Sequence, residues 1–343
     1  MNKKIFWPAI FLFLFFAMHV NISYSEELSG QSYFQEKSDI NLLVKSNKEI
    51  VGHSKKSNIH FSAKDIDSIL ETNVYIEDKH ISVKVGYGKR TGEIRILGEN
   101  INTKNIVTIS EDEAEFIKQD LQSLISEKIG TNSLEQNLIR TFNLLSNWPS
   151  SLAVILDPDN VTVPDECGLT YPDGISENIC KDVNKTHIGR YATDGEYCGW
   201  AKYYGVPVLK LDEPTTWIEN VAHLVGGTNC FGRCGAGCIG DGEPNNSVNI
   251  YSQNCFDHDL CAANEGTLDA ECNWMFISAI DDFFYGPVCP ALDLIFVIDT
   301  TGSMWDDIAN VKASATQIVE QIDSQISDYR VAVVDYRDFP VYP

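Results

Sequence analysis

The sequence predicts a multidomain fold: an α+β N-terminal module, a disulfide-rich and mainly α-helical module, and the first βαβ unit of an α/β domain. Three observations carry this reading. The ten cysteines all fall between Cys167 and Cys289. Before them, alternating apolar positions of β-strand type give way to helical periodicity. After them, two continuous β-branched runs flank one amphipathic stretch, as buried parallel strands around a crossover helix require. A chain of 343 residues suits two or three domains of roughly 100–200 residues each.

Composition narrows the function classes. Hydrophobic residues make up 43% and charged residues 22%, an ordinary globular balance. Lys and Arg total 26 against 49 for Asp and Glu, a net charge of −23. Such a surface repels phosphate backbones and anionic lipid and attracts divalent cations, so nucleic acid is excluded as a partner.

Residues 1–25 read as a signal peptide. Lys3 and Lys4 precede the 16-residue apolar run Ile5–Val20, and Ser23 and Ser25 supply a small-x-small cleavage site. The run is shorter than the roughly 20 residues a spanning helix needs. No other segment is long and apolar enough to cross a membrane. Export to an extracellular or periplasmic compartment follows, and it allows the cysteines to be read as disulfides.

Residues 26–60 are polar and rich in Ser, Lys and Asn, and read as a flexible lead-in. The α+β module follows over 61–148. Val74–Ile76, Ile81–Val85 and Ile94–Ile96 alternate as strands, and Gly88–Gly92 forms a hairpin loop between the last two. Ser110 with Glu113 makes a capping box before Ala114, Ile117, Leu121, Leu124 and Ile125, a helix that stops at Gly130. Ser133 with Gln136 opens a second helix carrying Leu134, Leu138, Phe142 and Leu145, ended by Pro149. His53, His60 and His80 occur singly and read as surface or hydrogen-bonded residues.

The cysteine-rich module spans 149–290. Its first half is loop-like, with crosslinks in place of a core. Its second half holds a Gly-rich stretch, Cys230–Cys238, and a helix over about Ser252–Asn264 containing Cys255-Phe256-Asp257-His258-Asp259-Leu260-Cys261. A further helix runs from about Asp269 to Tyr285. Cys255, His258 and Cys261 are spaced i, i+3, i+6 and share one helix face. Glycines let backbone carbonyls turn inward around a cation, because no Cβ obstructs the approach. With the Asp259 carboxylate these oxygens make a hard site suited to Ca²⁺. A histidine beside that ion is placed to activate water as general base while the ion stabilises an ester oxyanion.

These residues resemble secreted phospholipase A2. The loop match is Phe231-Gly232-Arg233-Cys234-Gly235-Ala236-Gly237, and the helix match is Cys255–Cys261. The resemblance covers roughly residues 229–290. It implies His258 as base, Asp259 as carboxylate ligand, carbonyls of Arg233, Gly235 and Gly237 on Ca²⁺, a Cys234–Cys255 bridge, and phospholipid as substrate. Two positions depart from the family. Its final loop glycine is Cys238 here. Its second aspartate, which orients the histidine, follows the cysteine that pairs with the His helix. Antiparallel helix arithmetic levels Cys261 with Cys272, which puts Asn273 at that place. Asn273 accepts a hydrogen bond but carries no charge. Asp281 and Asp282 are the substitutes, with Asp282 as the candidate orienting acid, although both fall a turn or more beyond the level of His258.

Residues 291–343 open with the strand Leu292–Ile298, which ends in Asp299-Thr300-Thr301-Gly302-Ser303. A helix from about Trp305 carries Ile308, Val311, Ala315, Ile318, Ile322 and Ile326 on one side, and a second strand runs Tyr329–Val334. Ligands of such units sit at the carboxyl end of the strands. Asp299, Thr301 and Ser303 present a carboxylate and two hydroxyls there. They leave a Mg²⁺ ion under-neutralised and able to take a carboxylate from a protein partner. The segment is similar to the start of a von Willebrand factor type A domain with its metal-ion-dependent adhesion motif. One βαβ unit leaves sheet faces uncovered, so this segment is expected to belong to a longer chain or to lean on another one. The functions expected are metal-dependent adhesion at Asp299, Thr301 and Ser303, calcium-dependent ester hydrolysis at His258 and Asp259, or a crosslinked scaffold without catalysis.

Overall fold

The computed structural model describes residues 39–130, 132–157, 172–198, 214–235, 238, 248–289, 291–299, 307–323 and 328–336. Strands β1 (Ile40–Lys45), β2 (Glu49–Ser54), β3 (Ile59–Ile66), β4 (Ile69–Ile76), β5 (Ile81–Gly88) and β6 (Ile94–Asn100) form one antiparallel sheet in chain order. Alternation along each strand places Ile50, Phe61, Ala63, Val74, Val83, Val85 and Ile96 on one buried face. The lead-in expected to be flexible over 26–60 is therefore corrected from Ile40 onward. Ile40, Ile50 and Ile59 reach the buried face, although Leu43 and Val44 are exposed, and neighbouring strands pair with its backbone.

Helix α1 (Glu111–Ser126) starts with the expected capping box. The Ser110 hydroxyl accepts from the Glu113 amide at 3.4 Å, and the Glu113 carboxylate accepts from the Ser110 amide at 2.7 Å. Helix α2 (Ser133–Leu145) is capped one residue earlier than expected, by Asn132, whose side-chain oxygen accepts from the Leu134 and Glu135 amides. Ten of the thirteen α2 residues are buried. One side meets the sheet, where Phe142 packs edge-on against Phe61 at 5.5 Å. Another meets the cysteine-rich part, where Arg140 donates to the Phe284 carbonyl. The chain then returns along β6, with Gly98 donating to Val154 and Leu156 donating to Ile96.

The cysteine-rich part contributes an antiparallel hairpin, β7 (Thr186–Ala192) with β8 (Trp217–Leu224), so it is not mainly helical throughout. Helices α3 (Gln253–Asn264), α4 (Ala270–Ser278) and α5 (Ile280–Tyr285) follow. Four bridges are described: Cys180–Cys289, Cys230–Cys238, Cys234–Cys255 and Cys261–Cys272. Cys198 is disulfide-bonded as well, and no described cysteine is free.

The expected boundary near residue 149 does not separate two cores. One apolar cluster runs from the sheet through α2 to Phe276, Ile280, Phe283 and Phe284, and Trp148 packs edge-on against Phe276 at 5.6 Å. The cause is the composition of α2, which is apolar on more than one face and so must be covered from both sides. A smaller cluster, including Ile179, Val225, Phe256, Leu260 and Met275, lies beneath the hairpin.

Strand β9 (Ala291–Asp299), helix α6 (Ile308–Asp323) and strand β10 (Asp328–Tyr336) form the expected βαβ unit. The strands are parallel, in register from Ala291 with Asp328 to Asp299 with Tyr336. Ile295 and Val297, on the opposite strand face from Phe296 and Ile298, are 62% and 70% exposed. Among the described residues, no helix is long and apolar enough to cross a membrane.

Candidate functional site

Helix α3 is fixed at its start before it presents any chemistry. The Ser252 hydroxyl accepts from the Cys255 amide and donates to Asp282 at 2.8 Å. Asp282 also takes the Ser176 amide at 2.9 Å and the Ser176 hydroxyl at 2.7 Å. Beyond this cap, Cys255 is tied to the Gly-rich loop through Cys234, and Cys261 is tied to α4 through Cys272. His258 lies between the two bridges. It lines a cleft of about 550 Å³ together with Asp259, Phe231 and Gly235. The facing wall comes from the first module, with Glu111 and Glu115 on α1 and Ser146, Asn147 and Trp148 after α2.

The His258 ring stands edge-to-face on Phe276 at 5.6 Å, and its Nδ1 is 3.5 Å from Asp259 Oδ1. The other Asp259 oxygen accepts from the Gly232 amide at 2.7 Å, which binds the loop to the helix. Within the loop, the Gly232 carbonyl accepts from Ser252 N–H at 3.3 Å and the Cys234 carbonyl accepts from Asn143 Nδ2 at 2.7 Å. These two carbonyls alternate with those of Arg233 and Gly235. Gly237 lies outside the described residues. Among the described residues, no group of three or more His, Cys, Asp or Glu side chains suits a metal. A cation at this wall would therefore rest on backbone oxygens with Asp259, a donor set suited to Ca²⁺ rather than to a soft metal.

Asp282 does not join His258. Helices α4 and α5 run back along α3, so that Phe276 stands level with His258, Cys272 with Cys261, and Asp282 with Ser252. Two turns separate Asp282 from the imidazole. Its carboxylate is fully buried and supports the helix cap; burial raises its pKa, against the hydrogen bonds from Ser176 and Ser252. Asn273 is also fully buried. Its amide donates to the hydroxyls of Ser151, at 2.8 Å, and Tyr197, while its Oδ1 is buried without a hydrogen-bond partner.

A second polar network occupies the opposite face of α3. Asp257 Oδ1 accepts from the Arg190 amide at 3.0 Å and from Gln253 Nε2 at 2.8 Å. Burial pushes its pKa up to about 6, although those two hydrogen bonds and the charges of Arg190 and His187 pull it down. His187 bridges Asp182, at 2.9 Å, and Gln253, at 2.7 Å. Gly189 leaves room for this arrangement, because a Cβ there would lie 2.2 Å from Asp257 Oδ1. The sequence displays Asp257 beside His258, yet nothing local marks it as buried, since the strand that covers it lies some 70 residues earlier. Asn143, Ser176 and Tyr197 carry no motif at all.

In the βαβ unit, Asp299 is the last residue of β9. Its side chain, Thr301 and Ser303 lie outside the described residues, as does the segment 1–25. An apolar cleft of about 510 Å³ runs between α6 and the strands, lined by residues such as Phe296, Ile298, Val311, Ala315 and Val333.

Comparison with curated proteins and with solved structures gave no match. Residues 217–292, from β8 through α5, match a family described as a domain of unknown function (DUF8213). That stretch contains the Gly-rich loop, His258 and Asp259. Residues 293–341, which include most of the βαβ unit, match a family described as von Willebrand factor A domain.

Proposed function

We propose that the protein is exported and that its His258 cleft hydrolyses phospholipid esters with calcium, while its type A segment docks on a protein partner. The observation that carries the hydrolase reading is the placement of His258, Asp259 and Gly235 on one wall of one cleft, held by the Cys234–Cys255 bridge. His258 takes a proton from water, which attacks the ester carbonyl, and returns it to the leaving alcohol. Asp259 and the carbonyls of Arg233, Gly235 and Gly237 would hold the calcium ion, which would supply positive charge to the ester oxyanion. Phe231 and Trp148 provide the apolar part of the cleft. The several disulfides fit an oxidising compartment.

The test is release of fatty acid from zwitterionic phosphatidylcholine vesicles. Release should require calcium, stop with EDTA, and fall at least a hundredfold in His258→Gln. Unchanged release in that variant, or none in the wild type, would leave a disulfide-stabilised scaffold without hydrolase activity.

The family match over residues 293–341 favours the docking role independently. In this reading Asp299, Thr301 and Ser303 would hold Mg²⁺, which would offer an open position to a carboxylate of the partner.

A further inference from the structure

Asn143 lies on α2, outside the matched stretch 217–292, and is 2% exposed. Its Nδ2 donates to the Cys234 carbonyl at 2.7 Å. The next residue, Gly235, lies flat against the same amide at φ +133°, where a Cβ would fall 2.2 Å from Asn143 Oδ1 and 2.7 Å from Nδ2. The Oδ1 atom is buried without a hydrogen-bond partner. An unpaired buried oxygen is unfavourable, and a leucine of similar size would remove it. What the amide supplies here is its N–H group, from which the Cys234 carbonyl accepts a hydrogen bond. The Asn143 main-chain carbonyl in turn accepts from Ser146 Oγ at 2.9 Å and from Asn147 Nδ2 at 2.5 Å, and both of those residues line the cleft.

We propose that Asn143 is a positioning residue for the cation loop, supplied to the cleft by the N-terminal module. It draws the Cys234 carbonyl toward α2 and so fixes the plane of the Cys234–Gly235 peptide, from which the Gly235 carbonyl assigned to the cation continues. This inference rests on the hydrolase reading for its consequence and not for its geometry. It also makes the cysteine-rich part dependent on α2 for cation affinity as well as for its core.

The experiment uses the full chain, wild type, Asn143→Leu and Asn143→Asp. Calcium affinity is read by calorimetry, and amide hydrogen exchange of Gly232 and Cys234 is followed in calcium-free buffer. Both amides are hydrogen-bonded, to Asp259 and to the Ile250 carbonyl, so their exchange is measurable. Both variants should bind calcium at least tenfold more weakly and exchange these two amides at least tenfold faster, with exchange in β3–β5 unchanged. Faster exchange with no calcium binding in the wild type would uphold the positioning role and sink the cation reading. Unchanged exchange in both variants would overturn the proposal, as would wild-type affinity in Asn143→Asp, which keeps the oxygen but loses the N–H.

Discussion

Asp257→Asn is predicted to stabilise the protein at neutral pH and to leave it unchanged near pH 4. The folded protein raises this carboxyl from 3.8 to about 6, chiefly by burial. A raised acid binds its proton more tightly folded than unfolded, so the native state loses stability as pH climbs through that window. Below about pH 4 both states are protonated and there is no penalty. Above about pH 6 the penalty is complete. At about 1.4 kcal/mol per pH unit, the rise amounts to about 3 kcal/mol. Asparagine keeps an oxygen for the Arg190 amide and for Gln253 Nε2, and it has no charge to desolvate. The assay is urea unfolding with disulfides intact, followed by tryptophan fluorescence at pH 4 and pH 7. The variant should match the wild type at the lower pH and exceed it by about 2–3 kcal/mol at the higher. Equal differences at both values, or a less stable variant at pH 7, would refute the reasoning.

Phe142→Ala should cost about 3–5 kcal/mol, because Phe142 is fully buried between the sheet and the rest of the shared core. Calorimetry should show the sheet and the cysteine-rich part still melting in one transition at a lower temperature; two separated transitions would contradict a common core. Gly189→Ala should destabilise by about 1–3 kcal/mol through overpacking. Its Cβ would meet Leu260 and Phe256 at 2.8 Å as well as Asp257. A thermal midpoint within a degree of wild type would count against that packing.

The elements that were legible share a short range. The Ser110–Glu113 capping box, the α3 helix and the βαβ order each depend on neighbours within a few turns, and each is present. The Cys234–Cys255 bridge follows from a motif resemblance, and Cys261–Cys272 from antiparallel helix arithmetic. Other features needed partners far along the chain. Strands β1 and β2 lie in a segment that reads as polar when taken whole, until Ile40 and Ile50 are seen on a face covered by other elements. Asp282 reads as a catalytic acid until Ser176, 106 residues away, is found on its oxygens.

The amino-acid order alone determined the local periodicities, the helix starts, the clustering of cysteines and the His258-Asp259 pair. Tertiary structure decided that the first two modules share one core, that Asp257 is buried, and that Asn143 reaches the Gly-rich loop. The physical reason is that propensity and spacing act between near neighbours, whereas burial and hydrogen-bond pairing depend on which distant segments close over a residue.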